Sequence, residues 1–262
     1  MRATISRPDL LRVPEVTLLF WVLKILTTGV GETTSDYLVR AFDPVIVVVI
    51  AGALLAVCVA VQFRAGRYVP WRYWLLVTMI AIAGTMAADV THIVFLVPYL
   101  NSTIAFALVL AAIFVVWWRV ERTLSIHSIS TTRREVFYWA TVSATFALGT
   151  AFGDLTATTF GLGYLGSGIL FSVLFAIPAI GYRFGIPATL AFWWAYILTR
   201  PLGASFADWL AVSHARGGLD IGPLVVSAIG GTLMLIGVVY LQLQERRRTR
   251  NGRQPSDALE FS

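Results

Sequence analysis

Apolar stretches close to twenty residues long recur along the whole chain, divided by short polar segments. Pro44 to Val61, Thr103 to Trp118 and Pro223 to Tyr240 show the pattern with fewest interruptions. A helix needs about twenty apolar residues to cross the hydrocarbon of a bilayer. The pattern therefore predicts eight spanning helices, at about 15–40, 44–63, 71–97, 102–120, 133–160, 163–182, 186–210 and 222–244. Local start signals accompany several of them. Asp43-Pro44 offers an N-cap followed by Pro at the first helical position, Thr132 with Glu135 has capping-box spacing, and Asn101-Ser102 is placed to cap the fourth span.

The polar positions inside the odd-numbered spans are not scattered. An aromatic-Trp pair is followed by Gly, a small residue and Asp at fixed distances, four times over. The copies are Phe20-Trp21 with Gly31, Ser35 and Asp36; Tyr73-Trp74 with Gly84, Ala88 and Asp89; Tyr138-Trp139 with Gly149, Gly153 and Asp154; and Phe192-Trp193 with Gly203, Ala207 and Asp208. In each, the Gly stands ten positions after the Trp, the small residue fourteen and the Asp fifteen. Repeats decide architecture before any local reading, and this one divides the chain into four two-helix units. A two-helix unit returns the chain to its starting side, so the copies are expected to be parallel, related by an axis near the membrane normal, and not inverted. At about 1.5 Å per residue the Gly lies about 15 Å beyond the Trp and the Asp about 22 Å beyond it. Four carboxylates are thus expected at one depth, in the outer half of the membrane.

Composition agrees with the pattern. The chain is 58% hydrophobic and 13% charged, about half the charged fraction of a soluble domain. The expected fold class is an all-α polytopic membrane protein with a single transmembrane domain, residues 1–244. Its repeats fall at about 15–63, 71–120, 133–182 and 186–244, followed by a basic, flexible tail over 245–262. The first fourteen residues carry Arg2, Arg7 and Arg12 but no short apolar core, so no cleavable signal peptide is expected. The lone Cys58 has no internal disulfide partner.

Charge sets an orientation. Sixteen of the twenty Lys and Arg residues fall in the N-terminus, the loops after spans two, four and six, and the C-terminal tail, whereas Arg40 and Arg216 alone fall on the opposite side. Lys24 and Arg200 lie within spans. Such a bias places both termini in the cytoplasm. It also explains the net charge of +6 without nucleic acid as a partner.

Each motif residue has a bland reading and a functional one. Gly31, Gly84, Gly149 and Gly203, each with a small residue four positions on, read as a helix-packing seam. The Trp pairs read as interface anchors. Asp36, Asp89, Asp154 and Asp208 are the informative members, because a carboxylate at membrane depth costs roughly 2.5–3.5 kcal/mol and faces protein or water. They are expected either to bind an ion or substrate together or to cap and pair locally. One turn before them stand Glu32, Thr85, Thr150 and Ala204, of which the first three join the candidate site. His92, three residues after Asp89, is a metal-ligand or proton-relay candidate, or a hydrogen-bonded structural histidine. Arg200, ahead of Pro201, is expected to neutralise one of the in-span acids, with Lys24 as second counter-ion or as a snorkelling interface residue.

The stretches Val13-Pro14-Glu15-Val16-Thr17 through Gly31-Glu32-Thr33-Thr34-Ser35-Asp36, Gly153-Asp154-Leu155-Thr156-Ala157-Thr158-Thr159, and Leu198-Thr199-Arg200-Pro201 through Asp208-Trp209 carry a resemblance. They resemble a family of bacterial integral-membrane proteins made of four tandem two-helix repeats of unknown function, each with a characteristic tryptophan. The resemblance spans nearly the whole chain to about Gln244. It implies a repeat architecture and a bacterial cytoplasmic membrane, and it supplies no substrate.

Two functions from different classes are expected to compete. One is a transporter or permease for a small cation, proton or hard divalent metal, since oxygen donors without a thiol cluster suit Mn²⁺, Mg²⁺ or protons better than copper. The other is a non-transporting scaffold or partner-binding subunit in which the Asp residues are structural. No enzyme is expected, because the chain has no HExxH, GxSxG or phosphate-loop motif. No cofactor is expected either, and membrane lipid is the expected partner.

Overall fold

The computed structural model describes residues 11–251. Eight long helices account for most of them: α1 (Leu18–Ala41), α2 (Pro44–Phe63), α3 (Pro70–Ile93), α4 (Tyr99–Glu121), α5 (Thr132–Asp154), α6 (Gly163–Arg183), α7 (Ala188–Ala211) and α8 (Pro223–Asn251). No strand occurs among the described residues. Six of the helices, all but α1 and α7, are long and apolar enough to cross a membrane on their own. The chain is a polytopic helical membrane protein, and α1 and α7 carry its innermost charges.

The four motif helices form an inner ring. α1 packs on α3 and α7, and α5 packs on α3 and α7. The even helices lie outside, α2 on α3, α4 on α5, α6 on α7 and α8 on α1. Each hairpin therefore lays its second helix on the first helix of the next repeat, and the last closes onto the first. Large apolar side chains such as Val49, Leu54, Leu108, Val173 and Leu235 point outward from this layer, as a lipid-facing surface requires.

Two contacts of the repeated motif set the register. Gly31 faces Ala81, Gly84 faces Phe146, Gly149 faces Arg200, and Gly203 faces Thr28. In every case a residue ten after one Trp meets the residue seven after the next Trp around the ring. At Gly31, Gly149 and Gly203 even a methyl group would overlap the neighbouring helix, so close approach excludes any side chain there. The aromatic pairs repeat the geometry at the other end of the helices. Trp74 packs on Phe20 (5.8 Å between ring centroids), Trp139 on Tyr73 (5.3 Å), Trp193 on Tyr138 (6.1 Å) and Trp21 on Phe192 (5.7 Å). The four inner helices thus run parallel in one register, a pseudo-fourfold ring.

This corrects the interface-anchor reading of the tryptophans. Trp74, Trp139 and Trp193 are buried, and they knit the ring through aromatic contacts instead of lining a lipid belt.

Helix ends follow the sequence signals in part. Asp43 caps α2 by accepting from the Val45 and Ile46 amides at 3.0 and 3.1 Å. The cap of α5 is Thr131, one residue earlier than expected, accepting from the Arg134 amide. Glu135 does not close a capping box, because Arg12 (2.7 Å) and Gln62 (2.9 Å) claim its carboxylate. α3 stops at Ile93, short of the expected 97, and the chain reaches Pro98 through Leu96 in a left-handed conformation. α4 then starts at Tyr99, so Asn101 and Ser102 lie inside its first turn and do not cap it. The expected tail is helical as far as Asn251, and the rest of it, with Arg253, lies outside the described residues, as do Arg2 and Arg7.

The N-terminal segment crosses one end of the bundle. The Tyr68 amide donates to the Leu11 carbonyl, the Arg12 amide to the Ile129 carbonyl, and Arg248 at the end of α8 reaches Glu15. The loops after α2 and α4, the segment from Leu11 and the end of α8 therefore share one end of the molecule.

Candidate functional site

Positions four apart stack along one helix face, so the repeats build the ring interior in layers. One residue before the Trp come Phe20, Tyr73, Tyr138 and Phe192, and three after it Lys24, Val77, Val142 and Tyr196. Seven after it stand Thr28, Ala81, Phe146 and Arg200; eleven after, Glu32, Thr85, Thr150 and Ala204; fifteen after, the four Asp. Every member of the first four layers is buried.

The Asp layer borders a cavity of about 420 Å³ at the end of the bundle opposite the N-terminal segment. Asp36, Asp89, Asp154, Asp208 and Glu32 all line it, together with Arg40, Tyr99, Thr158, Tyr164 and Arg216. The fold thus gathers the four repeated carboxylates around one space. Asp36 accepts from Arg40 at 2.6 Å, one turn along α1. Arg216, on the loop before α8, donates to the Tyr164 hydroxyl. No hydrogen bond reaches the carboxylates of Asp89, Asp154 or Asp208 among the described residues. A larger groove of about 790 Å³ between the N-terminal segment and α8 lies at the other end, remote from these groups.

Two layers below, Arg200 is wholly buried and fills the centre. It donates to the Glu32 carboxylate, to the Thr85 hydroxyl and to the Thr150 hydroxyl at 2.7 Å, and it reaches the Thr28 carbonyl at 3.5 Å. One α7 side chain therefore touches all three other inner helices. Glu32, Thr85 and Thr150, expected among the ion ligands, hold a guanidinium from the protein itself. The physical reason is depth: a buried carboxylate needs a charge partner, and Arg200 arises one turn lower on the adjoining helix.

Lys24 corrects a second expectation. It neutralises no carboxylate and does not snorkel; its Nζ is fully buried with no hydrogen-bond partner. It sits 4.1 Å from the centroid of Phe146 and 4.4 Å from that of Tyr196, so aromatic faces take the place of an acid. The Arg200 guanidinium, with the Lys24 side chain one layer beneath it, floors the cavity. Below them the Tyr73 and Tyr138 hydroxyls are hydrogen-bonded inside the aromatic layer.

The wall between α3 and α5 departs from the repeat. Asp154 ends α5 and is followed by a π-helical turn, Leu155–Thr159, closed by the Phe160 amide donating to the Leu155 carbonyl at 2.9 Å. Opposite it, one oxygen each of Asp89 and Asp154 and a ring nitrogen of His92 lie within 4.8 Å of one another. His92 Nε2 is 2.7 Å from the Ser102 hydroxyl, and the ring packs against Tyr99 at 4.3 Å between centroids.

Arg40, Tyr99, Tyr164 and Arg216 line the cavity without having been expected there. The two arginines had a signal in the sequence: they are the pair of basic residues outside the otherwise basic segments. The tyrosines stand at the starts of α4 and α6, each ten positions after its repeat's Asp, a position that the first and fourth repeats fill with Ile46 and Gly218.

Fold and site together define a polytopic membrane protein whose parallel four-repeat ring closes around an acidic cavity. The chain belongs to the family of the repeat of unknown function DUF347, whose model matches residues 19–68, 72–123, 137–184 and 191–247. No curated protein and no solved structure matches it.

Proposed function

We propose that this chain is a permease for a small cation, a proton or a hard divalent metal, in the cytoplasmic membrane of a bacterium. Both termini lie in the cytoplasm and the acidic cavity opens to the outside, an orientation supported by the basic residues gathered at the opposite end. The observation that carries the proposal is the convergence of four repeated carboxylates and Glu32 on one cavity. Five carboxyls face three guanidiniums, those of Arg40, Arg200 and Arg216. The formal deficit of two positive charges equals one divalent cation or two protons. Three of the carboxylates lack a protein donor and are the ones available to an occupant.

The Arg200 guanidinium at the floor gives the mechanism its barrier. A fixed positive charge on a pore axis opposes the passage of cations, so the cavity communicates with one side while Arg200 stays seated. Its threonine partners are neutral and are also held by the Ala81 and Phe146 carbonyls of their own helices. Glu32 is thus its one charged partner, and release of Glu32 to an incoming cation frees the guanidinium to move. Neither an enzymatic step nor a cofactor is needed.

The test is flux into proteoliposomes, for Mn²⁺ and for protons separately. Asp36, Asp89, Asp154 and Asp208 all changed to Asn should abolish it while the protein remains folded; unchanged flux rejects the permease. The Arg200 cluster, which ties all four inner helices together, favours the scaffold as a second reading. Under that reading the same variant loses thermal stability, and the wild type shows no flux.

A further inference from the structure

We infer that Asp89, His92 and Asp154 form a binding site for one divalent transition-metal ion, set in the wall of the acidic cavity between α3 and α5. The inference names the substrate class of the proposed permease, and its transport meaning rests on that reading.

The first argument is proximity of the right donors. Two carboxylate oxygens and one imidazole nitrogen within 4.8 Å of one another are a facing set from two helices. Metal–ligand bonds of about 2.0–2.2 Å draw such atoms to about 3–3.5 Å apart, a closure that side-chain rotation supplies. One nitrogen with two carboxylates suits Mn²⁺, Fe²⁺, Co²⁺ or Zn²⁺ better than Mg²⁺ or Ca²⁺, which take oxygen alone.

The second argument is the tautomer of His92. The Ser102 hydroxyl has one hydrogen, and the Tyr99 carbonyl at 3.0 Å and the Pro98 carbonyl at 3.4 Å both lie in reach of it. With that hydrogen directed to either carbonyl, Ser102 accepts from His92 Nε2–H at 2.7 Å, which is the tautomer the site requires. The other nitrogen, Nδ1, keeps its lone pair, and it is buried without a hydrogen-bond partner. A metal-binding histidine is held in this way, with one nitrogen donating to a neighbour and the other left for the ion. A buried nitrogen calls for a hydrogen-bond or ligand partner, and an ion shared with Asp89 and Asp154 would supply one.

The third argument is asymmetry. The positions equivalent to His92 are Val39, Ala157 and Ala211, so the ring holds one such site and not four. Its partner Asp154 is set by the one π-helical turn among the described residues, a feature frequent at functional sites.

The experiment is binding of Mn²⁺ and Co²⁺ to the purified full chain in detergent. Calorimetry gives the stoichiometry, and the visible bands of Co²⁺ report the coordination geometry and ligand field, to be compared with those of His92→Gln. The wild type should bind one ion. His92→Gln and Asp154→Asn should each weaken binding at least 10-fold and change or remove the Co²⁺ bands. Ser102→Ala, which leaves all three ligands in place, should weaken it 10- to 100-fold. Melting temperature and elution volume confirm that each variant is folded; should Asp154→Asn misfold, His92→Gln and Ser102→Ala carry the test. No binding by the wild type, or wild-type affinity in His92→Gln, overturns the site. Metal binding without flux removes the permease and leaves the site. Proton flux without metal binding does the reverse.

Discussion

The Arg200 guanidinium of α7 donates to the Glu32 carboxylate of α1 at the seam where the last repeat meets the first. Neither residue has a charged counterpart at the equivalent positions of the other repeats, which hold Thr28, Ala81 and Phe146 in one layer and Thr85, Thr150 and Ala204 in the next. The pair therefore identifies which repeat closes on which, a choice the shared motif leaves open.

Removing one partner strands the other charge. Glu32→Gln or Arg200→Met should each destabilise the folded protein by about 3–5 kcal/mol. The double variant should recover much of that loss, since it leaves no uncompensated charge. Unfolding of the three variants in one detergent, followed by circular dichroism, checks the non-additivity; additive losses would show that the two side chains do not depend on each other.

The glycine seam makes a separate prediction. A methyl group at Gly203 meets the Thr28 side chain and the Ile25 carbonyl, whereas one at Gly52, on the outer face of α2, meets nothing. Gly203→Ala should cost about 1–3 kcal/mol by forcing α7 from α1. Gly52→Ala should be neutral or stabilise by about 0.5–1 kcal/mol through helix propensity. Equal melting temperatures for the two variants would contradict the close approach of the inner helices.

The ring was legible before its charges were. A fixed Trp-to-Asp spacing is enough to give four parallel hairpins and a common depth for Asp36, Asp89, Asp154 and Asp208, because helical rise is constant. It says nothing of which helix neighbours which, so the pairing of Arg200 with Glu32 and the aromatic seat of Lys24 lay beyond it. Tyr99 and Tyr164 enter the cavity from the starts of outer helices. They share one spacing from their Asp, but only two of the four repeats carry a tyrosine there, so the fourfold motif did not single them out. The Trp residues show the converse, since a preference for the membrane interface yields to aromatic packing when neighbouring rings stand at the same height.

At the other end, Glu135 is a staple. Its side chain, 1% exposed, accepts from Arg12 at 2.7 Å and from Gln62 at 2.9 Å, joining the N-terminal segment and the end of α2 to α5. Glu135→Ala should cost about 1–3 kcal/mol, as buried donors lose their acceptor. The loss should be local. Hydrogen exchange over residues 11–17 should speed up well before that of α5 and α7, whereas uniform acceleration would mean that the segment is not held by this contact.

The orientation in the membrane is open to a direct test, because Cys58 is the chain's one cysteine. In a Cys58→Ala background, a new cysteine is placed at exposed His127, on the loop after α4, or at exposed Ala215, on the loop before α8. Intact cells are then treated with a membrane-impermeant maleimide. Ala215→Cys should react at once and His127→Cys only after the membrane is opened, because the loops on the His127 side carry nearly all the arginines and basic loops stay in the cytoplasm. The reverse labelling would turn the acidic cavity towards the cytoplasm. In that orientation a cation would load from inside the cell, and the proposed direction of entry would be inverted even though the site is unchanged. Labelling of both positions in intact cells would contradict placing the loops after α4 and α7 at opposite ends of the bundle, since an odd number of crossings separates them.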